Sequence, residues 1–87
     1  MPTKKNQKRN RITPRDAATA ASRYYSELTG SAQKASIEEM ELTEDGKSWL
    51  VTLGYDISEL YIGPKEYRLF RVNAYTGEVT RMKIRKL

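Results

Sequence analysis

The chain contains no cysteine and no histidine among its 87 residues. Without cysteine, disulfides and thiolate metal sites are excluded, and a reducing compartment suits the composition. Without histidine, the chain lacks the usual general base near neutral pH, the commonest metal ligand and any nucleophile system that needs an imidazole. We therefore expect no metal, no cofactor and no enzymatic activity, although a carboxylate pair or a lysine remains a formal route to catalysis.

Long apolar runs are also missing. No stretch approaches the ~18 consecutive apolar residues that a membrane span needs. Basic residues begin at Lys4, but no apolar stretch of about 7–15 residues follows them, so the sequence does not support a secretory signal. Eighty-seven residues suffice for one domain. The expectation is a single-domain, cytoplasmic protein without a membrane span.

Charge is distributed unevenly along the chain. The formal net charge is +5, and residues 1–11 contain five bases and no acid, whereas residues 12–87 contain 11 of each sign. We therefore divide the chain into a disordered basic arm, 1–12, and one folded domain, 13–87. The arm is a candidate for binding nucleic acid or anionic lipid, but it has no aromatic side chain to stack on bases, and a solubilising tail is the other interpretation. Its cations are Lys4, Lys5, Lys8, Arg9 and Arg11.

A helix is predicted over residues 14–29. Thr13 can cap its first turn, Pro14 suits the first helical position, and Asp16 places a carboxylate near the free amides. Gly30 is the natural stop. Apolar residues recur at spacings of 4, 3 and 4, which indicates one face that packs on a sheet. That face comprises Ala17, Ala21, Tyr24 and Leu28, with Ala18 and Tyr25 beside it.

The rest of the chain predicts four strands, at about 36–43, from Trp49 to Asp56, at about 65–74 and at about 79–86. Turns at 44–47 and 74–78 each contain a glycine and join antiparallel neighbours. The predicted fold class is therefore α+β, with one N-terminal helix packed on a four-stranded antiparallel meander sheet. The predicted core face of the second strand is Trp49, Val51, Leu53 and Tyr55. Ile37, Met40 and Leu42 mark the first strand, Phe70, Val72 and Ala74 share one face of the third, and Met82 and Ile84 share one face of the fourth.

The segment VNAYTGEV at 72–79 resembles the terminal hairpin of PepSY domains, where a strand runs into the turn V-D-A-x-T-G-E-V. Here Asn73 stands at the usual acidic position. The opening Asp16-Ala17-Ala18 and the order of helix and strands are also similar. The resemblance implies a cystatin-like helix on an antiparallel sheet, and a role in regulating peptidases.

A weaker similarity is to gas vesicle protein O. That family also has a helix that ends in Leu-Thr-Gly, as 28–30 does here, followed by an aspartate-glycine turn before a tryptophan strand, as at 45–49, and a basic last strand. This similarity implies an assembly protein.

Three surfaces are candidates for binding a partner. The segment 57–64 is apolar for a connection and contributes Leu60, Tyr61 and Ile62, which either pack on the core or form a docking patch. The outward side of the last two strands combines aromatic and cationic groups, but it also fits a solvated face that Glu38, Glu39 and Glu41 neutralise. Exposed sheet edges could accept an added strand. The outward candidates are Tyr67, Leu69, Arg71, Arg81, Lys83 and Arg85, with Arg68 and Lys86 nearby.

Three functions remain open from the sequence. The first is a non-catalytic, PepSY-like module that binds another protein, with peptidase regulation as its narrower form. The second is a nucleic-acid-binding accessory protein that uses the basic arm and the basic last strand. The third is assembly, in which a tyrosine-rich face forms a symmetric homodimer.

Overall fold

The computed structural model of the protein describes residues 10–30, 34–56 and 65–85. The predicted α+β class is confirmed, since one helix packs on a four-stranded antiparallel sheet in the order β1-β2-β3-β4. No helix within the described ranges is long and apolar enough to cross a membrane. The elements are α1 (Pro14–Thr29), β1 (Ala35–Leu42), β2 (Ser48–Asp56), β3 (Lys65–Asn73) and β4 (Val79–Arg85).

Helix α1 begins and ends where its capping residues predict. The Asp16 amide donates to the Thr13 hydroxyl oxygen at 3.0 Å, and Pro14 occupies the first turn. Gly30 closes the helix in the left-handed region at φ 70°, where its amide donates to the Ser26 carbonyl at 2.8 Å. A residue without a Cβ adopts this conformation without strain.

The core lies between α1 and one face of the sheet. Ala17 and Ala21 are fully buried, and these small side chains let the helix backbone lie close to the strands. The Tyr25 ring stacks on Tyr55, with centroids 4.2 Å apart, and meets Phe70 edge-on at 6.4 Å. The remaining buried residues of this cluster are Ala18, Val51, Leu53 and Val72.

Two details of the predicted helix face are wrong. Tyr25, and not Tyr24, is the tyrosine of the core, because its ring fills the space over Tyr55 while Tyr24 lies at the rim against Phe70. Leu28 was expected in the core but is 59% exposed. It lies almost one turn beyond Tyr25, which stacks on Tyr55 next to the end of β2.

Strand β1 contains a bulge. Its pairing with β2 shifts between Ile37 and Glu39, so that Glu38 has no partner in the ladder. The extra residue explains the imperfect alternation in this part of the sequence. Ile37 is 59% exposed, because it lies on an edge strand at the margin of the helix. Met40, beyond the bulge, packs on the core.

The residues just before α1 are attached to the domain. The Ile12 amide donates to the Ala74 carbonyl at 2.7 Å, and its carbonyl accepts from the Trp49 indole at 3.1 Å. The Arg11 guanidinium donates to the Gly46 carbonyl at 2.9 Å. The sequence placed Arg11 and Ile12 in the arm, but both bind the end of the sheet that holds the two turns.

Candidate functional site

The candidate site is the sheet face opposite α1, which we call the open face. Strand alternation turns Val51 and Leu53 toward the helix and therefore turns Leu50 and Thr52 to the other side. Ladder pairing aligns the open-face residues in rows that run across all four strands, and two of these rows have charged residues at both ends. These two rows are Glu39–Thr52–Leu69–Lys83 and Glu41–Leu50–Arg71–Arg81.

These rows give the open face opposite charge at its two borders. The acidic border consists of Glu39 and Glu41 on β1, and the basic border consists of Arg81 and Lys83 on β4. All four side chains belong to exposed residues. The border strands are also the two edges of the sheet in the described residues, so the charges are as far apart as the face allows.

The middle of the open face contains two leucines beside Thr52 and Arg71. Leu50 on β2 and Leu69 on β3 are half-buried, although no element of the described chain packs over them. A shallow depression of about 490 Å³ extends between the two borders and is lined there by Leu50, Thr52 and Leu69. Large apolar side chains on a sheet face without a covering layer are typical of a contact surface.

One ion pair crosses the face. The Arg85 guanidinium on β4 donates to the Thr52 hydroxyl at 2.7 Å and to the Glu39 carboxylate on β1. Arg85 lies two residues from Lys83 along β4, so the ion pair runs diagonally across the sheet. The bridge covers Thr52, which is only 1% exposed, and leaves Glu39 accessible to solvent.

A second ion pair, between Glu38 and Lys65, lies beside Gly54 of β2, which has no side chain. The Glu38 carboxylate accepts hydrogen bonds from the Ser36 hydroxyl and, at 3.2 Å, from the Lys65 ammonium. The hydrogen bonds from Ser36 and Lys65 lower the pKa of Glu38, and that from Lys65 to Glu38 raises the pKa of Lys65. A Cβ on Gly54 would lie 2.7 Å from the Glu38 carboxylate, so glycine makes room for this group.

The structure brings most of the predicted partner-binding residues together. Tyr67, Leu69 and Arg71 on β3 alternate with inward residues and share the open face with Arg81, Lys83 and Arg85 of β4. Arg68 was expected in this basic patch but lies on the helix side, with its guanidinium 6.0 Å from the Tyr25 ring centroid and paired with Glu66 at 3.1 Å. The reason is that successive side chains of a strand point to opposite faces, so Arg68 and Arg71, three residues apart, lie on different faces.

Other predicted site residues are elsewhere. Arg11 is at the turn end of the domain, against Gly46, and does not line the open face. The predictions for Leu60, Tyr61 and Ile62, for Lys86, and for Lys4, Lys5, Lys8 and Arg9 fall outside the described residues.

The sequence reasoning missed Leu50. The alternation placed it outward together with Thr52 and Gly54, and a large apolar side chain among outward residues was the available signal. The acidic border was recognised only as a neutralising group, because the register that puts Glu39 in line with Lys83 depends on the bulge at Glu38.

Two carboxylates of the described residues are held in their charged form by hydrogen bonds. Hydrogen bonds from Thr43 and from the Lys47 amide lower the pKa of Asp45, as neighbours lower that of Glu38, so both are anions at neutral pH. Within the described ranges, no group of three or more acidic, histidine or cysteine side chains could hold a metal ion.

Comparison with known proteins gives no relative for this chain. Neither the models of known protein families, nor the curated proteins, nor the solved structures contain a match. The similarity to PepSY domains and that to gas vesicle protein O therefore stay predictions.

Proposed function

We propose that the protein is a non-catalytic interaction module that binds another protein surface on its open face. The observation that carries the proposal is the pair of half-buried leucines, Leu50 and Leu69, on a sheet face that no described element covers. The surface that fits has an apolar centre and borders of opposite charge, because the open face presents an acidic strip and a basic strip on either side of its leucines.

The open face supports this role better than the sheet edges do. Strand β1 is interrupted by the bulge at Glu38, and the β3–β4 ladder shifts between Arg71 and Val72. Bulges twist an edge away and disturb the row of free backbone groups that an added strand would use. Binding through side chains on the face is therefore favoured over strand addition. Regulation of a peptidase, which the PepSY resemblance implies, is a narrower form of the same proposal.

Photo-crosslinking tests the proposal directly, because the natural chain has no cysteine to react elsewhere. We would introduce Leu69→Cys, attach a photoreactive maleimide, and irradiate the labelled chain in an extract of its own cells. The matched control is Glu27→Cys on the exposed side of α1. We expect one identified protein to be joined to position 69 and not to position 27, and excess unlabelled chain to compete it away. Equal labelling from both positions would contradict the proposal.

The nucleic-acid alternative has one supporting observation, the basic border of β4 beside Arg71. Phosphate bound there would approach Glu39 and Glu41 on the same face, which weakens the case. Titration of labelled DNA and RNA at two salt concentrations tests it. Binding that disappears when Lys4, Lys5, Lys8 and Arg9 are changed to serine would assign it to the arm, and binding lost with Arg81→Ser and Lys83→Ser would assign it to the sheet.

A further inference from the structure

We infer that the partner surface is the open face of a second copy of this chain. The inference rests on the proposed function and names its partner. The face is complementary to itself: the acidic border on β1 and the basic border on β4 lie on opposite sides of Leu50 and Leu69, each one strand away from the central pair of strands. Two such faces can place each acidic border over the basic border of the other copy, with Leu50 over Arg71 and Leu69 over Thr52 of the second copy.

The strand pairing of the sheet indicates the symmetry of the dimer. A twofold axis that runs parallel to the strands, between β2 and β3, places β1 of one copy over β4 of the other. The two rows of the open face then stay aligned. Glu39 of one copy lies over Lys83 of the second copy, and Glu41 lies over Arg81 of the second copy. Each pairing occurs twice.

Other face-to-face arrangements are disfavoured by the same charges. A twofold axis perpendicular to the strands would place β1 over β1, so that Glu39 and Glu41 of the two copies would repel each other. It would also place β4 over β4, so that Arg81 and Lys83 of the two copies would repel each other. Complementary charge thus selects one relative orientation, in which each strand of one copy runs parallel to the same strand of the second copy.

Three of the four border charges are available for this contact, and the fourth, Glu39, is paired with Arg85 but accessible to solvent. Glu41, Arg81 and Lys83 are exposed and take part in none of the ion pairs among the described residues. Residues 12–87 have 11 bases and 11 acids, so two folded domains do not repel each other through net charge. A nucleic acid would not find this balance, because the acidic border opposes its phosphates.

The size of the face predicts weak association. Four strands about 4.8 Å apart, each with about seven residues rising 3.3 Å, cover roughly 440 Å² in projection. Stable interfaces commonly bury about 800 Å² on each partner, so this contact is smaller than a standard interface and belongs with the weak, transient ones. We expect a dimer that forms at micromolar concentration or above and dissociates on dilution.

Charge reversal tests the inference. We would compare the natural chain with Glu39→Lys/Glu41→Lys and with Arg81→Glu/Lys83→Glu, by sedimentation from micromolar to millimolar concentration. Each double variant carries one sign on both borders and should remain monomeric. An equimolar mixture of the two should regain the dimer, because each border then meets its opposite. A chain with all four reversals should dimerise by itself.

A matched control separates position from net charge. Glu27→Lys/Glu44→Lys changes the charge as much as the β1 reversal does, at exposed positions outside the face, and should dimerise like the natural chain. Circular dichroism must show that each variant is folded. The inference is overturned if the natural chain stays monomeric at millimolar concentration, if either reversed variant dimerises as the natural chain does, or if the mixture stays monomeric.

Cross-linking tests the orientation. Facing sheets are about 10 Å apart, too far for a disulfide, so we would use a short bis-maleimide. A mixture of Glu39→Cys and Lys83→Cys chains should give covalent dimers joined between positions 39 and 83. A preference for 39–39 and 83–83 products would overturn the proposed axis.

Failure of this inference can be told apart from failure of the proposed function. If the natural chain is monomeric but the probe at position 69 labels one different protein, the self-association inference is wrong and the open face is still a binding surface. If the chain is monomeric and the probe labels no protein specifically, both are wrong.

Discussion

Tyr55 shows how a single residue couples the core to pH. Its ring is stacked on Tyr25, and its hydroxyl is buried without a hydrogen-bond partner among the described residues. Burial raises the pKa of Tyr55 to about 12, with a further contribution from Tyr25 that Arg68 opposes. The folded state therefore retains a proton that an unfolded tyrosine releases from pH 10 upward.

We predict that stability decreases in alkali for this reason. The contribution of Tyr55 is fully present below pH 10 and is lost as the pH rises to about 12. After allowance for solvent screening, the free energy of unfolding should fall by about 1–2 kcal/mol over this interval. Denaturant unfolding at a series of pH values measures it.

Tyr55→Phe is the matched variant for that prediction. It keeps the stacked ring and removes the buried hydroxyl, so the free energy of unfolding at neutral pH should change by less than about 1 kcal/mol. The part of the alkaline loss that Tyr55 causes should disappear. An identical pH dependence in the variant and in the natural chain would contradict the assignment to Tyr55.

At the scale of the helix, the N-terminal cap makes a separate prediction. Thr13→Ala removes the acceptor of the Asp16 amide and should lower the free energy of unfolding by about 0.5–2 kcal/mol. Thr19→Ala, at an exposed position inside α1, is the control and should be neutral or slightly stabilising. Denaturant unfolding of both variants measures the difference, and equal effects would argue against the cap.

The contact between helix and sheet depends on small side chains. Ala21 is fully buried where α1 lies on the strands, so Ala21→Leu should force the helix away and lower the free energy of unfolding by about 1–3 kcal/mol. The same change at the exposed Thr19 is the control. If Ala21→Leu were as stable as Thr19→Leu by thermal and denaturant unfolding, the close packing of the helix would be wrong.

The sequence predicted the helix and strands better than it predicted which side chains pack in the core. Caps and glycine turns act locally, so the helix from Pro14 to Thr29 and the order of the strands were predictable. The choice between Tyr24 and Tyr25 was not, because it depends on a ring in β2 that only tertiary packing brings near. The bulge at Glu38 was also hidden, and with it the alignment of acidic and basic residues across the open face.

On the scale of the whole molecule, the basic arm should oppose self-association. Two copies with a formal charge of +5 repel each other, whereas a chain without residues 2–9 retains 12 bases and 11 acids. We predict that this deletion lowers the dimer dissociation constant at low salt and has little effect at high salt, where the charges are screened. Sedimentation of both chains at two salt concentrations measures it, and weaker association of the shortened chain would show that the arm contributes to the contact.

The most direct test of self-association through the open face is a concentration series of amide chemical shifts by nuclear magnetic resonance. We predict that the residues of the two rows, from Glu39 and Glu41 across to Arg81 and Lys83, change their shifts together as the protein is concentrated. The exposed side of α1 should not respond. Shifts confined to the helix, or no concentration dependence at any position up to millimolar protein, would contradict the account.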